Sequence, residues 1–220
     1  MKLLAIDTTT DVCSCALYLD GDIQDRSVIA PRQHTALILP MADELLHEAG
    51  LKPIQLDGVA FGRGPGSFTG LRIASGVAQG IAFAADIPVA PISSLAALAQ
   101  AAYIENGADK VLAAIDARMS EIYWGFYIID KQGIMRLEGI ENVSAPDKIN
   151  LPSTEQWYGV GSAWTLYAEK LGVQHYQGDR YPQARAMIPL ALAAFHEGQV
   201  VSAENALPVY LRNQVVARPR

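Results

Sequence analysis

Charge is scarce in this chain, and basic charge scarcer: 18% of its 220 residues are charged, with 17 Lys and Arg against 23 Asp and Glu, a net charge of -6. Holding nucleic acid alone needs a basic face to neutralise phosphates, so the balance argues against autonomous binding. The C-terminal arginines Arg212, Arg218 and Arg220 form the one basic cluster, read as a solvated tail or as a tRNA contact within a larger assembly. Cysteine is nearly absent. Cys13 and Cys15 stand two apart on a strand-like run and so share a face. A bridge between them would be strained, and two sulfurs without nearby His do not complete a zinc site. Buried free thiols in a reducing compartment are expected. No apolar run reaches the roughly 18 residues of a membrane span, and Asp7 interrupts the apolar N-terminus too early for a signal peptide. The expectation is a soluble, cytoplasmic protein. Hydrolytic and metal signatures are also missing. There is no His-Glu-x-x-His, and no two of His34, His47, His175 and His196 stand at helical ligand spacing, so no bound metal is expected. Ser67 is followed by Phe68 and Thr69, which is no nucleophile elbow.

What is present is a large apolar fraction, 50% of residues, enough for one large domain or two small ones. The most informative stretch is the glycine-rich run Gly62 to Arg72, between the apolar strand Gly58 to Phe61 and an Ala-rich helix. It is neither a P-loop nor a dinucleotide fingerprint. Two readings stand: amides at Gly64, Gly66 and Ser67 that face an anion, or a tight turn whose glycines serve positive φ and close packing. Asp7 with Thr8, Thr9 and Thr10 forms a second polar turn, fit either to serve a nucleotide or to satisfy its own backbone.

The opening reads as three antiparallel strands, Leu3 to Ile6, Val12 to Leu19 and Ile23 to Ile29, with Asp20-Gly21 as a hairpin signal. A helix follows within Thr35 to Ala49, where Pro40 either kinks it or marks its start. After the glycine turn come a helix at Thr69 to Ala85, a short strand at Val89 to Pro91 and a helix at Ser94 to Tyr103. Residues 105–109 are polar and turn-forming, which divides the chain into 1–106 and 107–220, with the last segment expected to pack back on the first part. The second part repeats the opening in outline. Leu3-Leu4-Ala5-Ile6-Asp7 is echoed by Leu112-Ala113-Ala114-Ile115-Asp116, followed by Ile122 to Ile129 and a Gly-containing turn, as a duplication or a coincidence would leave it. Helices are expected near Ala163 to Leu171 and Pro189 to His196.

The first two helices are more apolar than one core-facing stripe requires. Leu37, Met41 and Leu45 on the first, and Leu71, Ala74, Val77, Ile81 and Ala84 on the second, leave a side over. Gly76, Gly80 and Ala84 stand four apart, and each interior glycine costs about 1 kcal/mol against Ala. Either the helices are buried within their own domain or this face receives another helix.

Ile6-Asp7-Thr8-Thr9-Thr10, Arg32-Gln33-His34-Thr35, Gly64-Pro65-Gly66-Ser67-Phe68-Thr69-Gly70-Leu71-Arg72 and Pro208-Val209-Tyr210-Leu211-Arg212 together resemble the bacterial TsaB (YeaZ) family over nearly the whole chain. The resemblance implies an α/β fold of the actin/Hsp70/sugar-kinase (ASKHA) type, with two related lobes of mixed sheets flanked by helices. It implies a role in forming N6-threonylcarbamoyladenosine at position 37 of tRNAs that read codons beginning with A. The chain would be a non-catalytic partner of the transferase TsaD, alongside the ATPase TsaE and the synthase TsaC, with ATP and metal belonging to those subunits and tRNA met only through the complex. Catalytic relatives carry two metal-binding histidines where this sequence has Ser94 and Leu98, neither of which replaces an imidazole. The interface implied is the face of the first two helices, used by TsaD or by a second copy when alone; Asp7, Thr8, Thr9, Gly64, Gly66 and Ser67 would be a vestigial nucleotide or anion site. The alternatives are a nucleotide-dependent small-molecule kinase of the same fold, using Asp7 and Asp116, and a glycoprotease-like peptidase.

Overall fold

A computed structural model describes residues 1–152 and 156–212. The first sheet begins with local antiparallel pairing of β1 (Lys2–Asp7), β2 (Val12–Leu19) and β3 (Asp22–Ile29). Leu19 pairs with Asp22 across Asp20 and Gly21, both at positive φ (48° and 117°). That two-residue turn matches the right-handed twist of its strands. After α1 (His34–Glu48), strand β4 (Gly58–Gly64) joins parallel to β1; after α2 (Phe68–Ala85), β5 (Val89–Ser93) joins parallel to β4. The order is β3-β2-β1-β4-β5.

Past α3 (Ser94–Asn106) the pattern is repeated by β6 (Lys110–Asp116), β7 (Ile122–Ile129) and β8 (Met135–Ser144), again antiparallel neighbours. β9 (Tyr158–Val160) pairs parallel with β6 and, after α4 (Ala163–Leu171), β10 (His175–Gln177) pairs parallel with β9, for an order of β10-β9-β6-β7-β8. α5 (Ala184–His196) follows. Strand and helix alternate as a two-lobed mixed α/β fold requires.

Each sheet is covered on both faces. Leu4, Ile6, Cys13 and Cys15 pack under Ile38 and Leu45 of α1 and Ala74 and Ala78 of α2. Leu3, Ala5 and Ala16, pointing the other way, meet Met187, Ile188 and Ala191 of α5. This two-sided burial explains why β1 is a continuous apolar run rather than an alternating one. In the second sheet Val111 and Ala113 face Leu95 and Leu98 of α3, and Leu112 and Ala114 face Trp164 of α4. The helices therefore cross over: α3 precedes the second sheet in sequence yet covers it, while α5 follows it and covers the first.

Three expectations change. α1 starts at His34 and runs through Pro40; Ala36 and Pro40 are both exposed, so the carbonyl that loses an amide partner lies on the solvent side. α5 begins at Ala184, well before Pro189, because the Ala184 amide is capped by the buried Ser14 hydroxyl at 2.9 Å. β8 spans ten residues where the sequence marks only a turn and Ile134, and β9 and β10 carry no strand-like run long enough to read.

Candidate functional site

The first half of the site is the turn after β1. Asp7 is wholly buried; its Oδ1 accepts from both the amide and the hydroxyl of Thr9 at 2.9 Å, and its Oδ2 has no partner. Burial pushes this carboxyl up to about 7, against the two Thr9 bonds that pull it down. Thr8 is equally buried and donates to the Gly70 carbonyl at 2.7 Å. The glycine turn is pressed onto this surface: a Cβ at Gly62 would overlap the Asp7 carboxylate, at Gly66 the Thr9 carbonyl, and at Gly70 the Thr8 carbonyl. Ser67 caps α2, accepting from the Gly70 amide at 3.1 Å, while its own amide donates to the Thr9 carbonyl at 2.7 Å. Close packing is thus what these glycines serve.

The matching strand end in the second sheet is open. Asp116 accepts from the Arg118 amide at 3.0 Å, stands 3.3 Å from the Arg118 guanidinium, and donates its own amide to Ser162 at 3.1 Å. Between the two turns lies a cleft of about 540 Å³, with Thr9, Gly66 and Ser67 on one wall and Asp116, Arg118 and Ser162 on the other. Asp7, Thr8 and Gly64 stand behind the wall rather than on it. Of the six residues expected to hold an anion, three are lining residues, and the Ser67 amide among them is already committed to Thr9. The fit to a phosphate cradle is poor. Nothing in the sequence flags the Arg118–Ser120 wall, where three consecutive non-glycine residues hold left-handed backbone (φ 62°, 57° and 59°). Arg212 closes one rim, donating to the Ala117 carbonyl at 2.9 Å and pairing with Glu121 at 2.6 Å. Arg218 and Arg220 lie outside the described residues.

At the start of α3, Ser94 is fully buried and donates to the Thr9 hydroxyl at 3.0 Å, and Leu98 is fully buried against the second sheet. No cluster of three His, Cys, Asp or Glu that could hold a metal occurs among the described residues. At these two positions a hydroxyl and an isobutyl group complete the protein's own core, so these residues do not fit a metal. The two cysteines are free and buried, and burial pushes the Cys13 thiol up to about 11.

The surface of the first two helices divides the expected interface. Leu45, Leu71 and Ala74 lie in the core at no more than 1% exposure and are removed from it. They fill the inner stripe of helices that pack on the sheet, which an all-apolar sequence does not distinguish from the outer stripe. Gly76, Gly80 and Ala84 are exposed, and a Cβ at either glycine would meet open space. Leu37, Met41, Val77 and Ile81 are half-buried, packed against the core from its edge. Phe83, next to Ala84, is 81% exposed.

The comparisons with known proteins agree with this geometry. The family model for TsaD, tRNA N6-adenosine threonylcarbamoyltransferase, matches residues 28–169. The tRNA threonylcarbamoyladenosine biosynthesis protein TsaB of Escherichia coli is 42% identical over 98% of this chain and 96% of its own length. The chain belongs to the TsaB family. The TsaB of Haemophilus influenzae is also 42% identical, over 98% of this chain and 95% of its own. YeaZ from Pseudomonas aeruginosa, a solved structure, superposes with a TM-score of 0.92 at 46% identity, covering 96% of this chain and 99% of that one. The same two-sheet architecture with crossed helices is therefore the TsaB fold. No described helix is long and apolar enough to cross a membrane.

Proposed function

We propose that this chain is the non-catalytic subunit of the machinery that forms N6-threonylcarbamoyladenosine on tRNA, pairing through the exposed face of α1 and α2 with the transferase TsaD. The observation that carries the reading is the closure at the start of α3. Ser94 is spent on Thr9 and Leu98 on the core, so polarising a substrate through a metal held there is not open to this chain. Chemistry would fall to the partner, with ATP and metal supplied by TsaD and TsaE and the activated threonylcarbamoyl group by TsaC. What this chain contributes is surface: Gly76 and Gly80 are exposed, with open space among the described residues where a Cβ would stand, flanked by half-buried Leu37, Met41, Val77 and Ile81. Small residues in one row admit a close helix backbone, and the apolar flanks gain about 25 cal/mol for each Å² covered. The kinase alternative loses support from Asp7, which is sealed behind the cleft wall.

Reconstitution of threonylcarbamoyl transfer to tRNA from purified components tests the reading. Omitting this chain is expected to abolish turnover. Full turnover without it, or ATP turnover by this chain alone, would sink the proposal.

A further inference from the structure

A second polar cluster, on walls other than those of the cleft, ties the two sheets together. β8 does not run in simple register with β7: Trp124 pairs with Asn142 and Phe126 with Glu138, so residues 139–141 together oppose the single Gly125. A bulge of this kind re-aims side chains. Gly139 takes a left-handed φ of 82°, Ile140 turns outward to 70% exposure, and the Glu141 side chain turns inward to 6%. Gly125 leaves the room, since a Cβ there would stand 3.1 Å from the Tyr127 ring and 3.5 Å from Glu141 Cγ.

The aimed carboxylate collects partners from both sheets. From the second sheet it accepts the Tyr127 hydroxyl at 2.5 Å. From the first it accepts the Ser93 hydroxyl, at the end of β5, and lies 3.7 Å from the Arg63 guanidinium, at the end of β4. Ser93 also caps α3, accepting from the Leu95 and Ala96 amides at 3.1 and 3.3 Å. The Arg63 carbonyl accepts the Val209 amide at 2.8 Å, so the closing segment that lines the cleft hangs from the same residue. Burial, reinforced by the Glu141 charge, holds the Tyr127 phenol well above its usual range and keeps it a neutral donor.

We infer that the Arg63, Ser93, Tyr127 and Glu141 cluster is a latch that fixes the angle between the two sheets and, with it, the width of the cleft. Removing Glu141 leaves two buried hydroxyls and a guanidinium without their common acceptor, a loss far larger than that of an exposed pair. The surface tie from Arg136 on β8 to Glu197 after α5 is of the second kind, half open to solvent and weak. The inference stands apart from the proposed partner surface, which lies on the outer side of α1 and α2.

The test uses the full chain alone. Hydrogen exchange is followed at 66–68 and 116–121, on the two cleft walls, and a spin-label distance is measured between exposed Glu44 on the first half and Lys131 on the second. Glu141→Ala is expected to speed exchange on both walls at least tenfold and to broaden the distance distribution, with β1 and β6 still protected. Arg136→Ala is expected to change neither. Unchanged exchange and an unchanged distance in Glu141→Ala would overturn the latch, as would an equal response to Arg136→Ala. If Glu141→Ala does not fold, Tyr127→Phe and Glu141→Gln replace it. The latch requires both to loosen the cleft and their double variant to loosen it by less than the product of the two; independent effects would overturn it.

Discussion

Five glycines of one continuous stretch, β4 through α2, fall into two groups that do opposite things. Gly62, Gly66 and Gly70 have the β1 turn pressed against them, with no room for a methyl group, whereas Gly76 and Gly80 have nothing within 4 Å of where one would stand. The first group is explained inside the molecule, because each glycine seats the strand-to-helix turn on Asp7, Thr8 or Thr9. The second is not. An interior helix glycine costs about 1 kcal/mol against Ala, and among the described residues nothing stands within 4 Å of a Cβ at 76 or 80 to explain it. Glycine on the closed side marks packing already made; on the open side it leaves the room that the proposed partner helix would use.

The largest effect expected on the closed side belongs to Asp7. Its carboxyl is raised from 3.8 to about 7 in the folded protein, so the native state holds a proton that the unfolded chain has already released. The contribution of Asp7 to stability is then full below about pH 4 and falls as pH rises toward 7. At about 1.4 kcal/mol per unit the loss is on the order of 4 kcal/mol. Urea unfolding at pH 4.5 and 8 should show it, and Asp7→Asn should flatten the difference. Gly70→Ala comes next. Its methyl would meet the Thr8 carbonyl, a backbone atom that does not swing away, and a loss of about 3 kcal/mol is expected, read as a melting temperature lower by about 9 °C. Ser94→Ala, which leaves the Thr9 hydroxyl without its donor, should cost about 1 kcal/mol. Smallest is Gly76→Ala on the open side, where a gain of about 0.5–1 kcal/mol is expected from helix propensity alone. A loss there would erase the contrast between the two groups.

Much of the fold was legible in the sequence because its strands are long, apolar and joined by marked turns. Asp20-Gly21 announces a hairpin, Gly50 and Gly107 follow helix ends, and the echo of Asp7 by Asp116 matches two sheets built alike. β9 and β10, of three residues each, carry no periodicity to read. β8 stayed hidden because its bulge breaks the alternation at Gly139, and nothing in the sequence singles out Glu141. The Ser94 and Leu98 substitutions were visible as residue types, but that they fill the vacated space is a tertiary fact. The helix face was half legible. An apolar helix announces two buried sides without saying which residues serve which, so Leu45, Leu71 and Ala74 read as surface when they are core.

The central claim, that the open glycine face of α2 receives the transferase, is tested most directly by titrating purified TsaD with this chain and with its Gly76→Leu and Gly80→Leu variants. Each variant adds a side chain where the isolated protein has open space, so the melting temperature should hold while affinity for TsaD falls at least a hundredfold. Wild-type affinity in either variant, at unchanged stability, would contradict the account.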